Sequence, residues 1–93
     1  MIPGKEKLIL EMLRDAEQYG LQLVEESGGR LKRGTVYVTL GRMEEKGYVA
    51  SRLEEPPPGQ SGLPRRIYRT TGLGRRVLQA WEMFGKTLKM ARA

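Results

Sequence analysis

Thr35, Thr39 and Arg42 stand four and three residues apart, a spacing that stacks side chains along one side of a helix. Two hydroxyls and a guanidinium placed in this way can hydrogen-bond to base edges and phosphate oxygens in a duplex groove. An ordinary solvated helix carries the same residue types, so the surrounding sequence has to decide. Just upstream, Arg30-Leu31-Lys32-Arg33 sets three cations around one leucine, which fits an extended piece with its leucine pinned and its charges facing a phosphate backbone. Downstream, Arg65, Arg66, Arg69, Arg75 and Arg76 fall within residues 62–76, a stretch with no acidic residue. Arginine's planar fork grips a phosphate through two hydrogen bonds, which a lysine cannot do.

The missing chemistry is as informative. There is no histidine and no cysteine, which removes the usual general base, thiol nucleophiles, disulfides, and zinc sites built on imidazole or sulfur. No nucleophile is paired with a base and no metal cage is in view, so no enzyme, metal or cofactor is expected. Seventeen Lys and Arg against eleven Asp and Glu give a net charge of +6 and an isoelectric point near 10.0, a balance that favours polyanions such as nucleic acid or an acidic membrane surface. Hydrophobic residues make up 39% and charged residues 30%, which fits a soluble globular domain and neither a disordered nor a membrane-embedded chain. No secretory signal and no run approaching about 18 apolar residues is present, so a cytoplasmic protein without a membrane partner is expected. Ninety-three residues make one domain, and so short a chain buries only roughly 60–65% of its unfolded surface. A second copy would enlarge the core.

Hydrophobic spacing supplies the elements. Leu8, Ile9, Met12 and Leu13 mark a first helix over residues 5–14. Asp15 is the expected cap of a second helix reaching Ser27, with Glu17 and Gln18 in its first turn and Tyr19, Leu23 and Val24 buried. Gly20 would then lie inside a helix, where it costs about 1 kcal/mol against alanine, a sign of close approach to a neighbour. After the Ser27-Gly28-Gly29 break, Val36, Leu40 and Met43 form the buried side of a third helix ending at Gly47, and Thr35, Thr39 and Arg42 face away. Residues 48–54 and 66–71 read as strands. The Pro- and Gly-rich stretch between them continues neither helix nor strand, so the three segments form a hairpin with a long, mobile tip.

The last helix begins after Gly72 and reaches about Arg92. Leu73, Val77, Trp81, Phe84 and Leu88 recur along it every three or four residues, with Leu78 and Met90 to the side. One small domain can hardly cover such a stripe, which predicts packing against a second copy in a homodimer. The fold class is therefore mainly α with a small β-hairpin wing: a winged helix-turn-helix over residues 1–71 and a C-terminal dimerisation helix over residues 72–93, in one compact unit. In that arrangement the third helix enters the major groove and the wing reaches phosphates or the adjacent minor groove.

Four segments in order, Tyr19-Gly20-Leu21-Gln22-Leu23, Gly34-Thr35-Val36-Tyr37 with Leu40, Met43-Glu44-Glu45-Lys46-Gly47-Tyr48-Val49, and Arg65-Arg66-Ile67-Tyr68-Arg69 with Thr71 and Gly74, resemble the PadR family of bacterial transcriptional regulators. The resemblance covers most of the chain and keeps the family's spacing. It implies a winged-helix dimer, usually a repressor, on a roughly palindromic operator. It also implies that the last helix forms the dimer and that a flat aromatic ligand can enter between paired terminal helices, here near Trp81. Thr35 and Tyr37 match the family's Gly-Thr-Leu-Tyr pattern, and Tyr37 would donate its hydroxyl to a phosphate while its ring packs on the body. Lys32-Arg33 departs from the family's frequent Ser-Pro, which puts the helix cap in question. Thr70-Thr71-Gly72-Leu73-Gly74 replaces Leu-Thr-Glu-Ala-Gly, losing an acidic first-turn residue while keeping the register.

The expected partner is double-stranded DNA, with Thr35, Thr39 and Arg42 at bases and Lys32, Arg33, Tyr37, Arg65 and Arg66 at phosphates. Leu73, Val77, Trp81, Phe84 and Leu88 are the expected dimer interface. Two rivals use the same fold: a protein-interaction module whose basic face meets an acidic partner, and a small-molecule sensor with a planar aromatic ligand at Trp81.

Overall fold

A computed structural model describes residues 2–92. Helix α1 (Gly4–Met12) is followed by a two-residue strand β1 (Gln18–Tyr19), helices α2 (Gly20–Glu26) and α3 (Arg33–Glu45), the hairpin β2 (Val49–Glu54) and β3 (Arg65–Thr70), and the long helix α4 (Gly72–Arg92). The sheet runs β1-β3-β2 and both pairings are antiparallel, with Gln18 opposite Tyr68 and Val49 opposite Thr70. Four helices and a small sheet in this order make a winged helix.

Strand β1 corrects the sequence reading of the second helix. Asp15 does not cap it, and Glu17 and Gln18 do not form its first turn. Gln18 instead extends the sheet, with its side-chain amide donating to the Met12 carbonyl at 2.8 Å. Tyr19 is the residue that precedes α2, and its backbone N–H donates to Gln22 Oε1 at 2.8 Å. Gly20 opens the helix rather than lying inside it.

The core joins Ile9 and Leu10 of α1 and Leu13 at its end, Leu23 of α2, Leu31 just before α3, Val36, Leu40 and Met43 of α3, Val49 and Tyr68 of the sheet, and Leu78 of α4. Helices α1 and α3 contribute residues at three- and four-residue steps, the amphipathic spacing that buries one stripe, while α2 and α4 contribute one core residue each. Leu78, expected at the side of α4, is in fact its anchor in the core, while Val77 and Trp81 pack partly against it. Leu31, the one apolar residue among three cations, is buried as expected, and Ser27 Oγ accepts its backbone N–H at 3.0 Å. Gly28 and Gly29 take the left-handed φ values of 62° and 90° that turn the chain from α2 toward α3.

Among the described residues, two ion pairs tie α1 and the turn after it to the end of α3 and to α4. Glu6 in the first turn of α1 is nearly buried and receives Lys46, at the end of α3, at 2.8 and 3.1 Å on its two oxygens. This hydrogen-bonded contact holds the Lys46 ammonium above its ordinary pKa. Arg14 bonds Glu82 of α4 at 2.8 Å. The start of α4 is capped by Thr71, whose Oγ1 accepts from Gly74 N–H at 3.0 Å and lies 2.6 Å from the Gly47 carbonyl. This hydroxyl cap fixes the start of α4 without an acidic residue in its first turn.

Candidate nucleic-acid interface

Helix α3 supplies one wall of the site. At about 100° per residue, its buried arc is centred on Val36, Leu40 and Met43. Thr39 lies three residues after Val36 and four before Met43, so it falls on the same arc and is only 8% exposed. The expectation that Thr39 faces away is therefore corrected. Thr35 is half-buried, whereas Arg42 is exposed as expected. The face that α3 turns outward holds Gly34, Val38 and Gly41, flanked by Tyr37 and Arg42. Val38 is 55% exposed and carries no polar group that would mark it in the sequence. Lys5 was missed as well; it reaches from α1 to line a shallow depression with Gly34, Thr35, Val38, Thr39 and Arg42.

The start of α3 is uncapped. Lys32 takes the extended conformation of an N-cap, φ −95° and ψ 151°, and its side chain makes no capping bond. With Lys-Arg at this point the helix begins at Arg33 without a side-chain cap, and Lys32 and Arg33 are exposed beside the first turn.

A second wall is built by the wing. Arg33 and Tyr37 of α3, Gly20, Leu21, Gln22 and Glu25 of α2, and Leu63, Pro64, Arg65 and Arg66 of the wing line one groove of about 470 Å³ together with Tyr19. Four residues named from the sequence, Arg33, Tyr37, Arg65 and Arg66, thus meet in one place. The Tyr37 ring stands so close to Gly20 that a Cβ there would lie 2.6 Å from it. The signal read from Gly20 as close approach is therefore a seat for Tyr37, which keeps 45% of its surface exposed.

The arginines of the wing are positioned rather than loose. The Arg65 guanidinium lies 4.3 Å from the centre of the Tyr19 ring, and the Tyr19 hydroxyl donates to Glu54. That hydrogen bond to a carboxylate raises the Tyr19 pKa. Arg66 donates to Ser51 Oγ at 3.0 Å, and Ser51 donates to Glu44 of α3 at 2.7 Å, which links wing to helix. Arg52 pairs with Glu17. Arg69 and Arg75 line a separate groove with Leu13, Arg14, Asp15 and Glu17. The run of five arginines therefore does not act as a single patch.

On α4, Leu73, Phe84 and Leu88 are exposed, Phe84 by 49% and Leu88 by 42%, as are Met83 and Met90. Val77 and Trp81 are half-buried, and Trp81 meets Tyr48 edge-on, with ring centres 6.1 Å apart and planes at 86°. Among the described residues, no helix is long and apolar enough to cross a membrane.

Solved structures share this architecture. A PadR family transcription regulator from Clostridium difficile R20291 is 28% identical, with 95% of this chain covering 97% of that one at a TM-score of 0.72. A PadR family transcriptional regulator from Eggerthella lenta DSM 2243 is 31% identical over 94% of this chain and 76% of that one, with a TM-score of 0.79. Bacillus subtilis PadR, solved in complex with operator DNA, is 22% identical and shares the fold at a TM-score of 0.74 over 85% of this chain and 46% of that one. No curated protein sequence matches the chain. Residues 9–80, well over half of the 93, match the model of the Transcriptional regulator PadR-like family, and the chain belongs to that family.

Proposed function

We propose that this chain is a sequence-specific binder of double-stranded DNA that regulates transcription, acting as a homodimer and as a repressor on a roughly palindromic operator. The observation that carries this reading is the groove that joins Arg33 and Tyr37 of α3 to Arg65 and Arg66 of the wing, beside an outward α3 face free of core packing. Helix α3 enters the major groove, and the wing arginines hold the flanking backbone. The operator complex of the Bacillus subtilis relative supports this use of the fold. In this reading Lys5, Lys32, Arg33, Arg65 and Arg66 contact phosphates, Tyr37 adds a hydroxyl donor, and Arg42 and Thr35 approach base edges. Thr39, being buried, is withdrawn from that set.

The dimer rests on α4. Its 21 residues span about 32 Å, yet only its first half touches the core, and residues 86–91 are exposed. Phe84, Leu88, Met83 and Met90 leave an apolar surface on the free half, of the kind that marks an interface. Two copies joined there would hold their α3 helices one duplex turn, about 34–36 Å, apart. A dimer seated across an operator represses by occluding it.

The test is retardation of duplex fragments as salt is raised. Five cations per protomer make ten per dimer, which gives a log-log salt slope of about −9. A slope near zero, with no fragment preferred, would instead mark a module that binds acidic proteins.

A further inference from the structure

The outward side of α3 is nearly bare of side chains. Val38 points away from the core side of the helix, and Gly34 and Gly41 lie beside it, one turn before and one turn after. A Cβ built at either glycine would meet no heavy atom within 4 Å, and neither glycine has a positive φ. Gly41 sits inside the helix, four residues before its end, where glycine is the least favourable residue apart from proline. Its absent side chain therefore relieves no crowding within the chain and permits no turn. What it leaves is space in front of the helix, and that space is bordered by Lys5 and Arg42 on one side and Tyr37 on the other.

Resting on the reading of α3 as the helix that enters the major groove, the geometry points to Val38 as the specificity-determining contact, fitted against a thymine methyl in each half-site. Gly34 and Gly41 let the helix backbone approach the base edges closely enough for so short a side chain to touch them. Valine carries no hydrogen-bonding group, so the feature it can read in the major groove is the C5 methyl that separates thymine from the other bases. Arg42 follows Val38 by one turn, a rise of about 6 Å, and its guanidinium can reach O6 and N7 of a guanine roughly two base steps away. The half-site recognised is therefore one with a thymine and a nearby guanine.

The experiment starts from a duplex selected by the wild-type protein out of a random pool. Each thymine is replaced in turn by deoxyuracil, which removes the methyl and keeps the pairing. One position in each half-site should lose about fourfold in affinity, the worth of one buried methyl. With Val38→Ala that uracil penalty should vanish, while penalties at other positions stay. Gly41→Ala should raise the thermal midpoint of the free protein yet weaken operator binding, a split that a purely structural glycine would not produce. Gly41→Leu should leave only salt-dependent, non-specific binding. Equal uracil penalties for wild type and Val38→Ala, or full operator affinity in Gly41→Ala, would overturn the inference while leaving the DNA-binding function standing. A wild-type protein that selects no duplex would overturn both.

Discussion

Replacing Gly20 with alanine should weaken DNA binding while leaving the fold nearly as stable as before. The new Cβ would stand 2.6 Å from the Tyr37 ring, where an ordinary contact needs about 3.5 Å, so the ring must retreat by roughly 1 Å. Tyr37 is 45% exposed, so its ring has solvent to move into. The clash is thus relieved by a side chain, and the roughly 0.4–1 kcal/mol gained by stiffening the unfolded chain offsets much of it. The hydroxyl moves with the ring, and a hydrogen bond to phosphate does not survive a displacement of that size. Losing a hydrogen bond to a charged group costs about 1.5–3 kcal/mol, or roughly ten- to hundredfold in affinity for each half-site. Anisotropy titrations of wild type, Gly20→Ala, Tyr37→Phe and the double variant form the cycle that checks this. Because both changes remove one contact, the double variant should bind about as weakly as either single one. Additive losses, or wild-type affinity in Gly20→Ala, would refute the idea that Gly20 acts by seating Tyr37.

Other perturbations have outcomes that follow from the same geometry. Gly74→Ala would drive a Cβ to 2.1 Å from the Tyr48 carbonyl oxygen and 2.6 Å from Thr70 Oγ1; backbone cannot yield there, and urea unfolding should show a loss of about 2–3 kcal/mol. Gly72→Ala, with open space around its Cβ, should change stability by less than about 0.5 kcal/mol. Phe84→Glu combined with Leu88→Glu should shift sedimentation from dimer to monomer while tryptophan fluorescence still reports Trp81 packed on Tyr48. Tyr19, Lys46 and Tyr68 have folded-state pKa values raised above 10.0, 10.5 and 10.0, through the Glu54 bond, the Glu6 bond and burial respectively. A raised value means that the stabilisation is complete below the unfolded pKa and is lost as pH climbs through the folded one. Urea midpoints should therefore fall once pH passes about 10.

Much of the fold was legible because its signals are local. The Val36, Leu40 and Met43 spacing, the glycine pair after Ser27 and the proline-rich wing tip each declare an element without reference to the rest. Strand β1 was not legible, since two residues show no alternation and Gln18 becomes a strand only by pairing with Tyr68. The hydroxyl of Thr39 suggests an outward position, although its three- and four-residue spacing to Val36 and Met43 puts it on the buried arc. Arg65 and Arg66 were found, but Arg69 and Arg75 were grouped with them in sequence and part from them in space. Val38 and Gly41 were hidden for the opposite reason: their part in the proposed site lies in what they lack.

The central claim is that paired α3 helices meet a duplex one turn apart. Selection of bound sequences from a random duplex pool tests it most directly. The account predicts an enriched inverted repeat with half-site centres about 10–10.5 base pairs apart. Enrichment of a single unrepeated site, or of no site at all, would contradict it.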